Sequence, residues 1–166
     1  MAGGAKKPEP KDQWEHDVWL MGRRMALLYY YMAKAIINEA GEARGKEIIK
    51  NAVWEYGRHC GDAVGKGVDA LGLPRTADNF RKIPDLPSRG WRSEVGEGPD
   101  GKPQHRTVLC PLAVTWKELG ENAIGRIYCF VDQAKTEAYN PCLECVHEHN
   151  VLDGDDFCEI VMRLKK

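Results

Sequence analysis

Near the N-terminus, apolar residues recur at alternating spacings of four and three, which is the period of one side of an α-helix. The members of this stripe are Trp14, Val18, Met21, Met25, Leu28, Met32 and Ala35. The stripe predicts one long helix from about Lys11 to Ala40, ended by Gly41, since glycine adopts the left-handed conformation at low cost. Such a stripe either packs on the core of the domain or forms the seam of a homodimer, because a long helix on a small domain can leave apolar surface uncovered.

A second helix is predicted from Glu42 to about Leu71, again with apolar residues at helical spacing. Glycine is frequent inside it, at positions 57, 61, 65 and 67. Each of these glycines costs up to about 1 kcal/mol relative to alanine in a helix. Glycine lets another backbone or a ligand come close, and helix packing is the interpretation that we favour.

Shorter apolar runs follow a proline-rich loop in the second half of the chain. Strands are predicted over residues 90–97, 104–110, 141–150 and 157–164, and helices over residues 112–119 and 123–139. Turn-forming residues between Gly98 and Pro103 join the first two strands in a hairpin, and Asp153-Gly154 predicts a tight turn between the last two. The expected fold class is α+β, with a four-stranded antiparallel sheet, helices packed on one face and a long N-terminal helix before it.

The charge and composition of the chain limit the kinds of molecule that are expected to bind it. The formal net charge is -1 and there is no long basic run, so neither nucleic acid nor an acidic membrane surface is expected as a partner. No apolar run approaches a membrane-spanning length, and no secretory signal pattern occurs, so a cytoplasmic location is expected. In that compartment the six cysteines are expected to be free thiols rather than disulfides.

Five short motifs occur in one order between Glu42 and Leu164. They are Gly45 followed by basic and apolar residues, Cys110-Pro-Leu112, Tyr128-Cys129 with Asp132, Asn140-Pro141-x-Leu143, and Gly154-Asp155-Asp156-Phe157-Cys158. This ordered set resembles the family of L-2-amino-thiazoline-4-carboxylic acid hydrolases. The resemblance implies a hydrolase that opens a small cyclic amidine or a related C–N bond with water.

The last motif also resembles the 4-vinyl reductase domain. That second resemblance implies an alternative function, a non-catalytic module that senses a small molecule or a metal. On either interpretation the chain divides into a disordered tail over residues 1–10, a helix for packing or dimerisation over residues 11–41, and a hydrolase-like, ligand-binding domain over residues 42–166.

Catalysis without a metal requires a nucleophile or a general base. Cys110 precedes Pro111 at a predicted helix N-terminus, where the pKa of a thiol falls, so Cys110 is the candidate nucleophile. His147 is the candidate base, with His149 as its alternative. Asp132, one helical turn from Cys129, is assigned to orienting a histidine or a water molecule.

A carboxylate substrate favours binding by arginine, whose guanidinium group can donate two hydrogen bonds to it. Arg92 and Arg106 lie on the first predicted hairpin and are assigned to this role, although surface charge is the alternative for each. Tyr128 and Asn140 belong to the family motifs and are assigned to substrate binding with them.

The last predicted hairpin also contains candidate metal ligands. A tight turn at Asp153-Gly154 would place His147 or His149 nearly opposite Cys158, with Cys129 on the preceding helix as a third ligand. Thiolate and imidazole groups together suit zinc, and the 4-vinyl reductase sensors include zinc-binding members. The predicted metal set is Cys129, His147, His149 and Cys158. The alternative is a core of buried thiols beside two partly exposed histidines.

Overall fold

The computed structural model describes residues 10–87, 89–97 and 103–165. Residues 1–9 of the predicted tail and residues 98–102 of the first predicted turn lie outside these ranges. The two long helices are confirmed as α1 (Gln13–Ala40) and α2 (Glu42–Ala70). Gly41 joins them with a φ of 81°, a backbone conformation that favours glycine.

The rest of the described chain forms short helices around one sheet. The elements are α3 (Ala77–Phe80), β1 (Arg92–Glu97), β2 (Pro103–Leu109), α4 (Pro111–Glu118), α5 (Asn122–Tyr128), α6 (Phe130–Tyr139), β3 (Leu143–His149) and β4 (Cys158–Leu164). The strand order is β1-β2-β4-β3, and every neighbouring pair is antiparallel. The expected fold class, including the long N-terminal helix, is therefore confirmed.

One predicted helix is broken in two. The helix predicted over residues 123–139 ends at Tyr128 and begins again at Phe130, with Cys129 between α5 and α6. Around Cys129 the backbone hydrogen bonds span three residues, from Cys129 to Arg126 and from Asp132 to Cys129. A short 3₁₀-type connection keeps the apolar spacing almost unchanged, so the sequence pattern does not reveal the break.

The connection between the last two strands is longer than the predicted tight turn, because residues 150–157 all lie between β3 and β4. A β-bulge also interrupts β3, so that His147 lies opposite Ile160 while His149 lies opposite Glu159. A bulge adds one residue to a strand and reverses the alternation of faces. The two histidines therefore lie on opposite faces of the strand, and the residue opposite His149 is Glu159 rather than Cys158.

Helices α2 and α6 pack with their backbones in close contact. An added Cβ atom at Gly57 would lie 2.7 Å from the carbonyl oxygen of Val131, and one at Gly61 would lie 2.2 Å from that of Lys135. No side chain larger than hydrogen fits at either position without moving α6. The prediction that these glycines serve helix packing agrees with this contact.

Helix α1 packs on the domain through small residues rather than through the apolar stripe. Ala26 and Ala33 are completely or almost completely buried, and the indole N–H of Trp116 donates to the carbonyl oxygen of Ala26 at 3.0 Å. Met21 and Leu28 of the stripe are instead 66% and 63% exposed. Most of the stripe therefore does not form the core, and the homodimer through this helix stays a prediction.

None of the described helices is both long enough and apolar enough to cross a membrane.

The substitution Gly61→Ala should lower the free energy of unfolding by about 1–3 kcal/mol, because the added methyl group meets backbone atoms that cannot rotate away. Chemical denaturation followed by circular dichroism measures this change. The control is Ala63→Gly, at an exposed position of the same helix. It measures helix propensity alone, which favours alanine by about 1 kcal/mol. A Gly61→Ala variant that gains stability by that amount would show that α2 and α6 do not pack this closely.

If the exposed stripe is a dimer seam, the wild-type chain should sediment as a dimer at micromolar concentration. The double substitution Met21→Asp and Leu28→Asp should then give a monomer with an unchanged circular dichroism spectrum, because both side chains are exposed in the single chain. A wild-type chain that sediments as a monomer contradicts the predicted homodimer.

Candidate functional site

A cavity of about 270 Å³ lies between the helices and the sheet. Most of its wall is apolar, formed by Met25, Leu86, Trp91, Leu112, Ala113, Trp116, Val131, Leu152 and Ile160. Four thiols also reach it, those of Cys60, Cys110, Cys129 and Cys158. Its polar groups include Asp85, Asp132, Lys135, His147 and Asn150. Concave, mainly apolar cavities with a few converging polar groups are typical of small-molecule sites.

The polar groups centre on a contact between α6 and β3. Nε2 of His147 lies 3.2 Å from Oδ2 of Asp132, and the histidine side chain is 2% exposed. The ring N–H does not point straight at that oxygen. The two residues that the sequence analysis chose as a base and its orienting acid therefore lie side by side in the cavity wall.

Asn150 determines which ring nitrogen of His147 carries the proton. Its Oδ1 accepts a hydrogen bond from the backbone N–H of Leu152 at 2.9 Å, which fixes the orientation of the amide. Its Nδ2 then faces Nδ1 of His147 at 3.0 Å. Because an amide nitrogen only donates, Nδ1 accepts, and the proton of the neutral ring is on Nε2, facing Asp132.

The loop that holds Asn150 is closed by the last family motif. The backbone N–H of Asn150 donates to Oδ2 of Asp155 at 2.7 Å, and the backbone N–H of Val151 donates to Sγ of Cys158 at 3.4 Å. The aspartate and the cysteine of this motif thus hold the backbone of the loop. Their contacts explain how the long connection between β3 and β4 places Asn150 against His147.

Asp132 carries a negative charge in this wall. Burial raises its pKa, but the polar contact with the imidazole of His147 and the charge of Lys135 outweigh burial and hold the pKa below its usual range. Nζ of Lys135 lies 3.7 Å from Oδ1 of Asp132 and 2.7 Å from Oδ2 of Asp85. Burial lowers the pKa of Lys135, but the two carboxylates outweigh it and raise that pKa.

Cys110 does lie at the N-terminus of a helix, as the cap of α4. Burial nevertheless raises its pKa to about 11, although backbone hydrogen bonds from Ala113 and Leu112 act in the opposite direction. The predicted lowering of this pKa was wrong, because loss of solvent outweighs the helix terminus. Burial likewise raises the pKa of Cys129 to about 12 and raises that of Cys158.

The predicted metal set is not assembled. Cys129, His147 and Cys158 reach the cavity, but the bulge turns His149 to the other face of the sheet. There His149 is 3.4 Å from Asp155 and packs against Phe157. Over the part of the chain that the structure describes, no group of three or more histidine, cysteine or acidic side chains could hold a metal ion.

Three of the four residues assigned to substrate binding lie away from the cavity. Arg92 is 3.4 Å from Glu15 of α1. Arg106 is next to the cavity residue Thr107 but points to the opposite strand face, where its guanidinium group stacks on Phe157 at 4.5 Å. Only Tyr128 lies in the cavity wall.

Asn140 has a structural role instead. Its Nδ2 donates to the carbonyl oxygen of Arg75 at 2.7 Å, and its Oδ1 accepts from the backbone N–H of Cys142 at 2.9 Å. These bonds fix the start of β3. Because both ends of its amide are bonded to the backbone, the side chain is held away from the cavity.

The sequence analysis missed Asp85, Lys135 and Asn150. Lys135 is three residues after Asp132 on α6 and so on the same side of the helix, a spacing that could have drawn attention to it. Asn150 follows the last histidine of the strand, where asparagine is typical of a turn. Asp85 lies in a proline-rich loop, and no local pattern indicates that it reaches α6.

A model of the L-2-amino-thiazoline-4-carboxylic acid hydrolase family matches residues 21–162, which is most of the chain. The chain belongs to this family. The resemblance of the five ordered motifs is thereby confirmed, and the match supports a hydrolase-like assignment at the level of the family. No curated protein matches the chain.

One solved structure has a similar fold. It is a trafficking protein particle complex subunit 3 from Naegleria fowleri, covalently bound to palmitic acid. The two sequences are 19% identical, the match covers 89% of this chain and 96% of that chain, and the TM-score is 0.51. At this identity the similarity concerns the fold, since unrelated functions share folds.

The substitution Asn150→Asp should move the proton of His147 from Nε2 to Nδ1, because a carboxylate accepts where the amide donates. Nitrogen-15 NMR of the labelled histidine ring measures the tautomer. Asn140→Asp is the matched control, since Asn140 also accepts from the backbone two residues on but lies away from His147. A wild-type protein with the proton on Nδ1, or an equal change in both variants, contradicts the role of Asn150.

Proposed function

We propose that this family member is a hydrolase that opens a small cyclic amidine in the cavity, with Asp132 as the general base. The observation that carries the proposal is the position of the Asp132 carboxylate in a mainly apolar wall, 3.2 Å from Nε2 of His147 and 3.7 Å from Nζ of Lys135. Family membership supports the reaction class. The cavity supports a small substrate, because its volume of about 270 Å³ is near the lower end of ligand sites, about 300–1,000 Å³.

In the proposed reaction, Asp132 takes a proton from a water molecule while the water oxygen bonds to the amidine carbon. In the resulting tetrahedral intermediate the ring C–N bond breaks and the amidine carbon becomes a carbonyl group. The ring nitrogen leaves as an amine, taking the proton held by Asp132 and the proton of the intermediate's hydroxyl group. Proton transfer of this kind contributes about 10²–10⁴-fold to a rate. Nε2 of His147 contacts Oδ2 of Asp132 and keeps this carboxylate in position. Asn150 in turn keeps the histidine ring in position through Nδ1.

Two other candidates fit this role less well. A thiol with a pKa of about 11 is ionised in roughly one molecule in ten thousand at pH 7, so Cys110 is a poor nucleophile. His147 is assigned a positioning role rather than that of the base. Its Nδ1 is occupied by Asn150, and its Nε2 carries the proton toward Asp132.

The substitution Asp132→Asn should therefore lower kcat by about 10²–10⁴-fold on 2-aminothiazoline and its 4-substituted derivatives. Ring opening is followed by chromatography of substrate and product. Cys110→Ser should keep most of the turnover, because the proposed reaction forms no bond to sulfur. Since the pKa of Asp132 is held low, the wild-type rate should fall only at a pH below the usual range of a carboxyl group.

The reverse pattern would reject this assignment. If Cys110→Ser removes turnover while Asp132→Asn keeps it, the reaction proceeds through the thiol. Circular dichroism of both variants separates a loss of chemistry from a loss of fold.

A second function, binding an apolar ligand without turnover, is favoured by a groove beside the cavity. The groove has a volume of about 420 Å³, lies between α1 and α2, and shares Met25, Tyr56 and Tyr128 with the cavity. The fold neighbour covalently bound to palmitic acid supports this alternative as well. Saturable binding of aminothiazolines by wild-type protein that turns over none of them would favour it over hydrolysis.

A further inference from the structure

We infer that the substrate of this cavity is a cyclic amidine that carries an apolar substituent, and not one that carries a carboxylate. The inference rests on the proposed function and narrows it to a substrate class. It comes from the charge of the wall, from the positions of the arginines and from the apolar surface that surrounds the polar groups.

The charged groups of the wall favour a cation over an anion. Asp85 and Asp132 are acidic, and Lys135 is the cation that lines the cavity among the described residues, so the three together carry one net negative charge. Lys135 already lies between the two carboxylates, at 2.7 and 3.7 Å. A substrate carboxylate would therefore meet like charges, whereas a protonated amidine is attracted.

Arg92 and Arg106, the two arginines assigned to substrate binding, do not compensate for this charge. No arginine is among the described residues that line the cavity. Arg92 is directed to Glu15, and Arg106 lies 4.0 Å from Glu159 on the opposite face of the sheet. A carboxylate that enters the cavity would lose its water without gaining the paired hydrogen bonds that arginine gives in carboxylate sites.

Apolar surface covers the rest of the wall. Trp91, Leu112, Trp116, Leu152 and Ile160 all face the cavity. The volume of about 270 Å³ is near the lower end of the range for sites of drug-sized ligands. A bare aminothiazoline ring leaves part of this space unfilled, and an apolar substituent on the ring would fill it with favourable burial.

The test compares three compounds that share one ring. They are 2-aminothiazoline, its 4-carboxylate and its 4-benzyl derivative, and calorimetry with the full-length chain measures the binding of each. We expect the benzyl compound to bind at least tenfold more tightly than 2-aminothiazoline, and the carboxylate at least tenfold more weakly. Asp132→Asn should reduce this preference for the cationic compounds over the carboxylate.

Two substitutions on β4 isolate the apolar contact. Ile160→Thr changes a side chain that faces the cavity. It should weaken the binding of the benzyl compound and leave the binding of 2-aminothiazoline unchanged. Val161→Thr makes the same kind of change at the next position, on the opposite strand face, and should affect neither compound.

The possible failures of the two proposals are distinguishable. A carboxylate that binds as tightly as 2-aminothiazoline, or a complete lack of binding by all three compounds, overturns the inference about substrate class. If the predicted order of binding holds but no compound is opened, the inference stands in the form of a ligand preference and the proposed hydrolysis fails. If the carboxylate alone is bound and opened, hydrolysis stands and the inference fails.

Discussion

The close backbone contact between α2 and α6 is the constraint on which the candidate site depends. Gly57 and Gly61 let α6 approach so closely that an added methyl group at either position would overlap its backbone. With that side of α6 held against α2, the side that carries Asp132 and Lys135 faces the cavity and β3. The helix propensity lost at the glycines, up to about 1 kcal/mol each, is the cost of placing these charged residues.

The pKa values of the ionisable groups in the cavity wall shift in opposite directions, because the groups have different partners. Burial raises the pKa of Cys110 and Cys129 more than their polar neighbours lower it, and keeps both as neutral thiols. Asp132 is buried in the same wall, but His147 and Lys135 hold its pKa low. Among these buried groups, the one that is charged is therefore the carboxylate with polar and charged partners, whereas the thiols stay neutral.

The family match bears on the class of reaction, whereas the side chains of the cavity wall bear on the class of substrate. The family match covers most of the chain and supports a hydrolase-like assignment, and the fold neighbour shows how far one architecture can be shared between different proteins. The family name includes a carboxylate, whereas the charges of Asp85, Asp132 and Lys135 favour a cation. Substrate class depends on such side chains in the wall, which can differ between relatives that share one fold.

The sequence by itself determined the features that depend on near neighbours along the chain. The two long helices, the glycine that separates them, the cap position of Cys110 and the four strands all follow from spacing and turn chemistry over a few residues. Tertiary structure alone decided that Ala26 and not the Met21–Leu28 stripe is buried, that a bulge separates His147 from His149, and that Asp85 reaches Lys135. These outcomes depend on packing between segments far apart in sequence, and a local pattern shows which side of an element is apolar but not which partner will cover it.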